Sequence, residues 1–308
     1  MFELIKPGTN IDFVGYRFYA VIVSIVLIAI GIISLFFRGV NYGIDFAGGT
    51  LVQVKFQQPV SINDIRGAVE SISAKDVTVQ DFGTGRSNEF IVRMLESDPE
   101  LKRGLPQQVS NALAERFKGK SDFEILRVES VGPRVGKDLR QRAVLAVLAA
   151  TVVMGIYIAL RFEARFGIGA AVALLHDVMV AVTALSLTRM EFDLTTVAAL
   201  LTIVGYSVND TVIVSDRIRE NMRKNRREPL IAVMNRSINE TLSRTILTAG
   251  TVLLVLLALF FLGGEIIHGF AFTLLVGVIV GTYSSIYIAG PIVLYMDFKP
   301  RSRVKAAA

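Results

Sequence analysis

The chain has 308 residues, 52% of them hydrophobic, with 33 Lys and Arg against 27 Asp and Glu and neither cysteine nor tryptophan. A mean hydropathy of +0.53 is far above that of an ordinary soluble domain and points to a membrane protein. The missing thiols exclude disulfides, thiolate catalysis and cysteine metal sites, whereas the net charge of +6 leaves nucleic acid open until the basic residues are placed.

Residues 1–17 form a short segment bearing Lys6 and Arg17, followed by an apolar run from Phe18 to Phe37. That run is long enough to cross about 30 Å of hydrocarbon. It exceeds a signal-peptide core and no small-residue cleavage site follows, so it reads as a retained signal anchor. Next comes "NYGIDFAGGT", Asn41 to Thr50. Gly43, Gly48 and Gly49 permit tight positive-φ turns, and Asp45 can accept bonds from neighbouring amides. A phosphate cradle is excluded because neither a helix start nor a Lys follows at the required spacing. The motif reads as an architectural hinge.

Residues 38–138 have the composition of a soluble domain. "TLVQVKF" alternates as a half-buried strand, and "SINDIRGAVESI" reads as a capped helix. "VTVQDFG" and "EFIVRML" are two strands joined by a Gly-rich turn, "GTGRSN". "PELKRGLPQQVSNALAERF" is a longer helix, irregular near Gly104 and Pro106, and "FEILRVESV" is the last strand. The order β-α-β-β-α-β predicts a ferredoxin-like α+β sandwich.

Five further spans share residues 139–298: Ala143 to Leu160, Phe166 to Leu187, Leu194 to Val214, Thr245 to Leu262 and Gly269 to Met296. Within the loop 215–244, Leu230, Val233, Met234 and Ile238 share one face of a short helix expected to lie on the membrane surface. A tail, 299–308, carries Lys299, Arg301, Arg303 and Lys305.

The basic residues set the orientation. Arg161 and Arg165 fill the turn after the second span, and Arg217, Arg219, Arg223, Lys224, Arg226 and Arg227 follow the fourth. The opposite loops, "TRMEFD" and "LGGEIIH", hold only Arg189. By the positive-inside rule both termini are cytoplasmic and the sandwich lies outside. The positive charge is thus a topology signal, and nucleic acid is excluded as a partner.

Three spans carry ionisable residues at depth: His176 and Asp177 in the third, Asp210 in the fourth and Arg244 opening the fifth. Thr195, Thr202, Asn209 and Asp216 recur every seven residues along the fourth span, and Arg244, Thr248 and Thr251 share a face of the fifth. Both stripes are expected to face a bundle interior, where Asp210 and Arg244 meet if their helices are neighbours. Such groups within a span mark an ion pathway or relay by default. An inert ion pair that fastens the bundle is the alternative, as is Arg244 snorkelling to lipid phosphate. Asp216 reads as a solvated helix end. Gly277 and Gly281 form a G-x-x-x-G for close helix packing. An intramembrane aspartyl protease is rejected: "LHD" and "VND" are not its motifs, and the two acids are expected at different depths. No P-loop, metal site or cofactor site is signalled.

"NYGIDFAGGT", "VGPRVGKDLR", "LLHDVMV", "GYSVNDTVIVSDRIREN" and "SINETLSRTILTAGT" together resemble the SecF family, over roughly residues 10–300. Ser215 stands where a bulky apolar residue is expected. The family comprises the smaller membrane subunits of SecDF export accessory complexes, within the RND superfamily. The resemblance implies a six-span, RND-like half with one outer α+β domain in a bacterial inner membrane. Its implied partners are SecD, the SecYEG channel, YajC, an exported preprotein, protons and the lipid bilayer. It implies no enzyme activity and no cofactor, but use of the proton-motive force to assist late-stage export, with an intramembrane Asp-Arg proton relay coupled to movement of the outer domain. The family's functional aspartate and arginine map to Asp210 and Arg244, beside Asn209 and Thr248; His176 and Asp177 are candidates for a secondary relay. A non-conducting assembly subunit is the rival reading. An antiporter half is a weaker one, because the outer domain is too small.

Overall fold

The computed structural model describes residues 9–70, 72, 75–81, 88–95 and 99–297. The Gly-rich turn expected at 83–88 lies outside the described residues apart from Asn88, as do Lys6 and the basic tail.

Helix α1, Arg17–Arg38, is apolar on nearly every side and buries only Ser24, Gly31 and Ser34. These small residues let it approach helix α6, Ala164–Thr188, where Ser34 Oγ and Ser186 Oγ lie 2.8 Å apart. Gly39 ends α1 with φ of +65°, its N–H bonding Leu35 O.

The chain then makes a single helical turn, α2 (Ile44–Ala47), inside the junction motif, and enters the sandwich. Strands β1 (Gly49–Phe56), β2 (Lys75–Asp81), β3 (Glu89–Leu95) and β4 (Phe123–Val131) form one antiparallel sheet ordered β2-β3-β1-β4. Helices α3 (Ile62–Val69) and α4 (Pro99–Phe117) cover one face. Alternation decides which residues they bury: Val52, Val54 and Phe56 of β1 and Phe90, Val92 and Met94 of β3 pack with Ile65, Val69, Leu105, Val109 and Leu113. The residues between them, Leu51, Ile91 and Arg93, point the other way, towards the bundle's end.

Helix α5, Pro133–Arg161, opens on a proline at its first position, where the missing N–H costs nothing. Helix α7, Leu194–Lys224, is capped by Asp193, whose Oδ1 accepts from Thr196 N at 2.7 Å. Helix α8 runs unbroken from Leu230 to Leu262. This corrects the expected surface helix: Val233, Met234 and Ile238 are buried in the bundle core, and no Gly or Pro interrupts α8 before Gly250. The last span is α9 (Glu265–Ser284), a π-helical turn over Ser285–Ala289, and α10 (Gly290–Asp297).

Six of the described segments are long and apolar enough to cross a membrane: α1, α5, α6, α7, α8 and the composite last helix. Helices α6 and α7 are the most enclosed, α1 and α8 the least. Gly277 and Gly281 of α9 lie against Ile203 and Ser207 of α7, so the two helices approach at backbone distance.

A buried polar cluster as candidate functional site

Three helices meet where apolar residues give way to hydroxyls. Asp177 of α6 is 0% exposed. Its Oδ2 accepts from Ser207 Oγ of α7 at 2.6 Å and from Ser284 Oγ of α9 at 2.9 Å, while His176 Nδ1 lies 3.1 Å from Oδ1. His176 stacks on Tyr283 at 6.1 Å between ring centres, and Tyr283 donates its hydroxyl to Ala20 O of α1 at 2.6 Å. Asp177 is therefore the hub, its hydrogen bonds joining α6, α7 and α9.

Asp210, one residue beyond Asn209 on α7, is 1% exposed and far less satisfied. Thr282 Oγ1, which also reaches Val278 O of its own helix at 3.0 Å, lies a long 3.3 Å from the Asp210 Oδ2, and the Asp210 Oδ1 has no partner among the described residues. The Tyr206 hydroxyl, one turn earlier, is also buried without a partner among the described residues. Thr211 and Ser285 complete the cluster, their hydroxyls 2.9 Å apart. Thr282, Ser284 and Ser285 thus answer Asp210, Asp177 and Thr211 in turn, at the point where α9 passes into its π turn. A carboxylate oxygen buried with no donor has room to take a proton or a new hydrogen bond. Among the described residues no three His, Asp or Glu side chains converge as a metal would need.

Arg244 is elsewhere. It is exposed on α8 and lines a groove of 510 Å³ with Tyr157, Arg161, Asp216, Glu220 and Glu240. Among the described residues it forms no ion pair, and Thr248 bonds only its backbone, Oγ1 to Arg244 O at 3.0 Å. The expected meeting of Asp210 and Arg244 is absent from this structure. Nor do the stripes face inward: Thr195, Thr202, Asn209, Asp216, Arg244 and Thr251 are all exposed on the single chain. Asp210 sits on the buried side of α7, next to that stripe and not on it.

The junction motif is fastened to the loop between α6 and α7. Gly43 N donates to Phe192 O at 3.0 Å, Phe192 N to Asn41 O at 2.8 Å, and Leu194 N to Asp45 Oδ2 at 3.0 Å. Gly48 and Gly49 adopt φ of +78° and +127°, and a Cβ on Gly48 would come within 2.8 Å of Pro133 Cα. Gly43 has an ordinary φ of −66°, so its expected positive-φ turn is not used; its role is the bond to Phe192. Arg93, on β3, pairs with Glu191 of the same loop. Burial pulls its guanidinium below the ordinary arginine range, against the opposing pull of Asp193.

The hydroxyls of Ser207, Thr211, Thr282, Ser284 and Ser285 escape a reading of charges alone. A Ser or Thr inside a helix ordinarily bonds its own i−4 carbonyl, as Ser285 does to Gly281 O at 2.9 Å. The visible signal is "GTYSS" in an otherwise apolar span.

Residues 110–299 match the family model "Protein export membrane protein SecD/SecF, C-terminal", and residues 33–60 match "SecD/SecF GG Motif". The chain belongs to the SecD/SecF family. Protein translocase subunit SecF of Magnetococcus marinus is 48% identical over 99% of this chain and 97% of its own length. SecF of Vibrio alginolyticus is 44% identical over 97% of this chain and 94% of its own. The crystal structure of SecDF from Thermus thermophilus superposes with a TM-score of 0.82 at 38% identity, covering 94% of this chain. SecDF in a super-membrane-facing form gives 0.69 over 96% of it. This chain spans 39% of each SecDF chain, matching one part of a longer polypeptide. Among the SecF subunits the match is nearly end to end, which places this chain on the SecF side of the family.

Proposed function

We propose that the chain is the SecF-type partner of a SecD subunit, using the proton-motive force to assist late protein export through SecYEG. In this reading the chain sits in the inner membrane with both termini cytoplasmic, and its β-α-β-β-α-β sandwich is a ferredoxin-like domain on the outer side. Asp210 carries the proton, and Asn209, Arg244 and Thr248 act around it. The supporting observation is the Asp210 carboxylate: buried within a span, held by one long bond from Thr282, with its second oxygen unpartnered among the described residues. A carboxylate ionises readily beside Arg⁺ and prefers its neutral form when buried alone. Arg244 stands apart from Asp210 here, so its retreat and approach would raise and lower the proton affinity. Each charge crossing the membrane adds about 2.3 kcal/mol per 100 mV. The His176–Asp177 hub, whose carboxylate accepts from Ser207 and Ser284, serves as a secondary station that keeps α6, α7 and α9 in register.

The outward polar stripes support a partner with membrane helices of its own, since lipid does not satisfy Asn209 or Arg244. The same stripes favour the second reading, a non-conducting assembly subunit. One comparison separates the two. Vesicles carrying a stalled preprotein and a proton gradient, without ATP, are prepared with wild type and with Asp210→Asn. The relay predicts that Asp210→Asn loses gradient-driven completion by about tenfold or more while SecD still co-purifies, a loss of the size expected for an essential proton-transfer group. Normal completion by that variant leaves the assembly role.

A further inference from the structure

Thr78, Gln80 and Arg127 leave the outer strands of the sheet's open face exposed, but around Leu51, Ile91 and Arg93 that face meets the bundle. It roofs a cavity of 380 Å³ whose floor is the bundle's end, with Asn41, Asp45, Glu191, Asp193 and Thr195 on the bundle side and Arg93 on the sheet side. Arg93 belongs to a central strand, its Cα in register with Leu51 of β1 and Thr78 of β2. Its side chain is 14% exposed and crosses the cavity to pair with Glu191. Glu191 is two residues before the α7 cap, and its own carbonyl accepts from Thr196 Oγ1 at 3.2 Å. The first turn of α7 is thereby held from three directions: by Asp193 from its own chain, by Asp45 from the junction motif, and by Arg93 from the sheet.

These contacts differ in what they tie. Asp45, Gly43 and Asn41 bind the connector, about which a sandwich can still pivot. Among the described residues, the Arg93–Glu191 ion pair is the one salt bridge from the sheet to the bundle. Exposed ion pairs contribute little, but a mostly buried guanidinium left without its carboxylate is strongly unfavourable. From Leu194 to Asp210 is sixteen residues of continuous helix, or about 24 Å at 1.5 Å per residue, so α7 transmits displacement as a rod.

We propose that Arg93 is a positioning residue for export: the strut through which the sandwich and helix α7 move as one body. Displacement of α7 at Asp210 is carried by Glu191 and Arg93 into the sheet, and a load on the sandwich is returned by the same path. The coupling to export rests on the reading of Asp210 as proton carrier; the mechanical link does not.

The chain has no cysteine, so two spin labels can be placed cleanly, at Lys120→Cys beyond α4 and Ala198→Cys on α7, both exposed. In the full chain assembled with SecD, Arg93→Glu is expected to broaden the label-to-label distance distribution at least twofold, as the sandwich pivots on the junction. Glu191→Arg should do the same, and the double exchange Arg93→Glu/Glu191→Arg should restore the narrow distribution. In the vesicle assay each single variant should lose gradient-driven completion at least fivefold per molecule, with ATP-driven initiation unchanged, and the double variant should recover to within twofold of wild type. A purely structural role would lower the amount of protein without splitting these two phases. A wild-type distribution in Arg93→Glu overturns the strut. A broadened distribution with undiminished completion overturns its role in export. If Asp210→Asn exports normally the relay falls, and the label distances still decide the strut.

Discussion

Asp177 and Asp210 show how two buried carboxylates acquire different characters from their neighbours. Asp177 accepts from two serines and faces His176, so its removal takes a partner from three buried groups at once, of which Ser284 alone keeps another acceptor, Gly281 O at 3.2 Å. Asp177→Leu should therefore destabilise by several kcal/mol, whereas Asp177→Asn, which keeps one acceptor oxygen, should cost about 1–3 kcal/mol. Thermal unfolding of the detergent-solubilised protein measures the order. An equal loss for both would mean that the hydroxyls find other partners. Asp210 was legible from sequence as an acid inside a span, and so was Asp177. Their ranking was not, because it depends on Ser207 and Ser284, which lie 30 and 107 residues away from Asp177 in the chain.

At the scale of elements, the six spans follow from length and composition, and the sandwich order follows from the alternation of Val52, Val54 and Phe56 against Leu51 and Lys55. The sequence of helix α8 reads as two pieces because Asn235, Arg236, Asn239 and Glu240 resemble a surface segment. Its apolar face nevertheless continues through Leu230, Met234, Ile238, Leu242 and Ala249, and nothing breaks the backbone across that interval. Glycine gives two opposite expectations. Gly277 lies against Ile203, so Gly277→Leu should separate α7 from α9 and cost about 1–3 kcal/mol or more. Gly67, within α3, has open space where a methyl group would stand, and Gly67→Ala should stabilise by about 0.4–1 kcal/mol. Unfolding midpoints should move in opposite directions, and a shared direction would refute the packing assignment.

For the whole molecule, the decisive feature is a polar seam on the outside of a single chain. Thr202 and Asn209 on α7 and Arg244 and Thr251 on α8 are exposed among residues that lipid would otherwise contact. If a SecD-type bundle covers the seam, Thr202→Cys and Asn209→Cys should react with a maleimide in the isolated chain and become at least tenfold slower after assembly with SecD. Leu148→Cys, exposed on α5, should keep its rate. Unchanged rates at Thr202 and Asn209 would place the partner elsewhere. The number of spans, the β-α-β-β-α-β order along the chain, the acids at depth and the seven-residue stripe are all legible in the amino acids alone, because each is a matter of local periodicity and composition. That the seam faces outward, that Asp177 is the hub and that Arg93 reaches Glu191 depend on how the helices and the sheet pack. The physical reason is that lipid is as apolar as a helix-bundle core. Periodicity separates the two faces of a membrane helix, but it takes packing to say which face is inside.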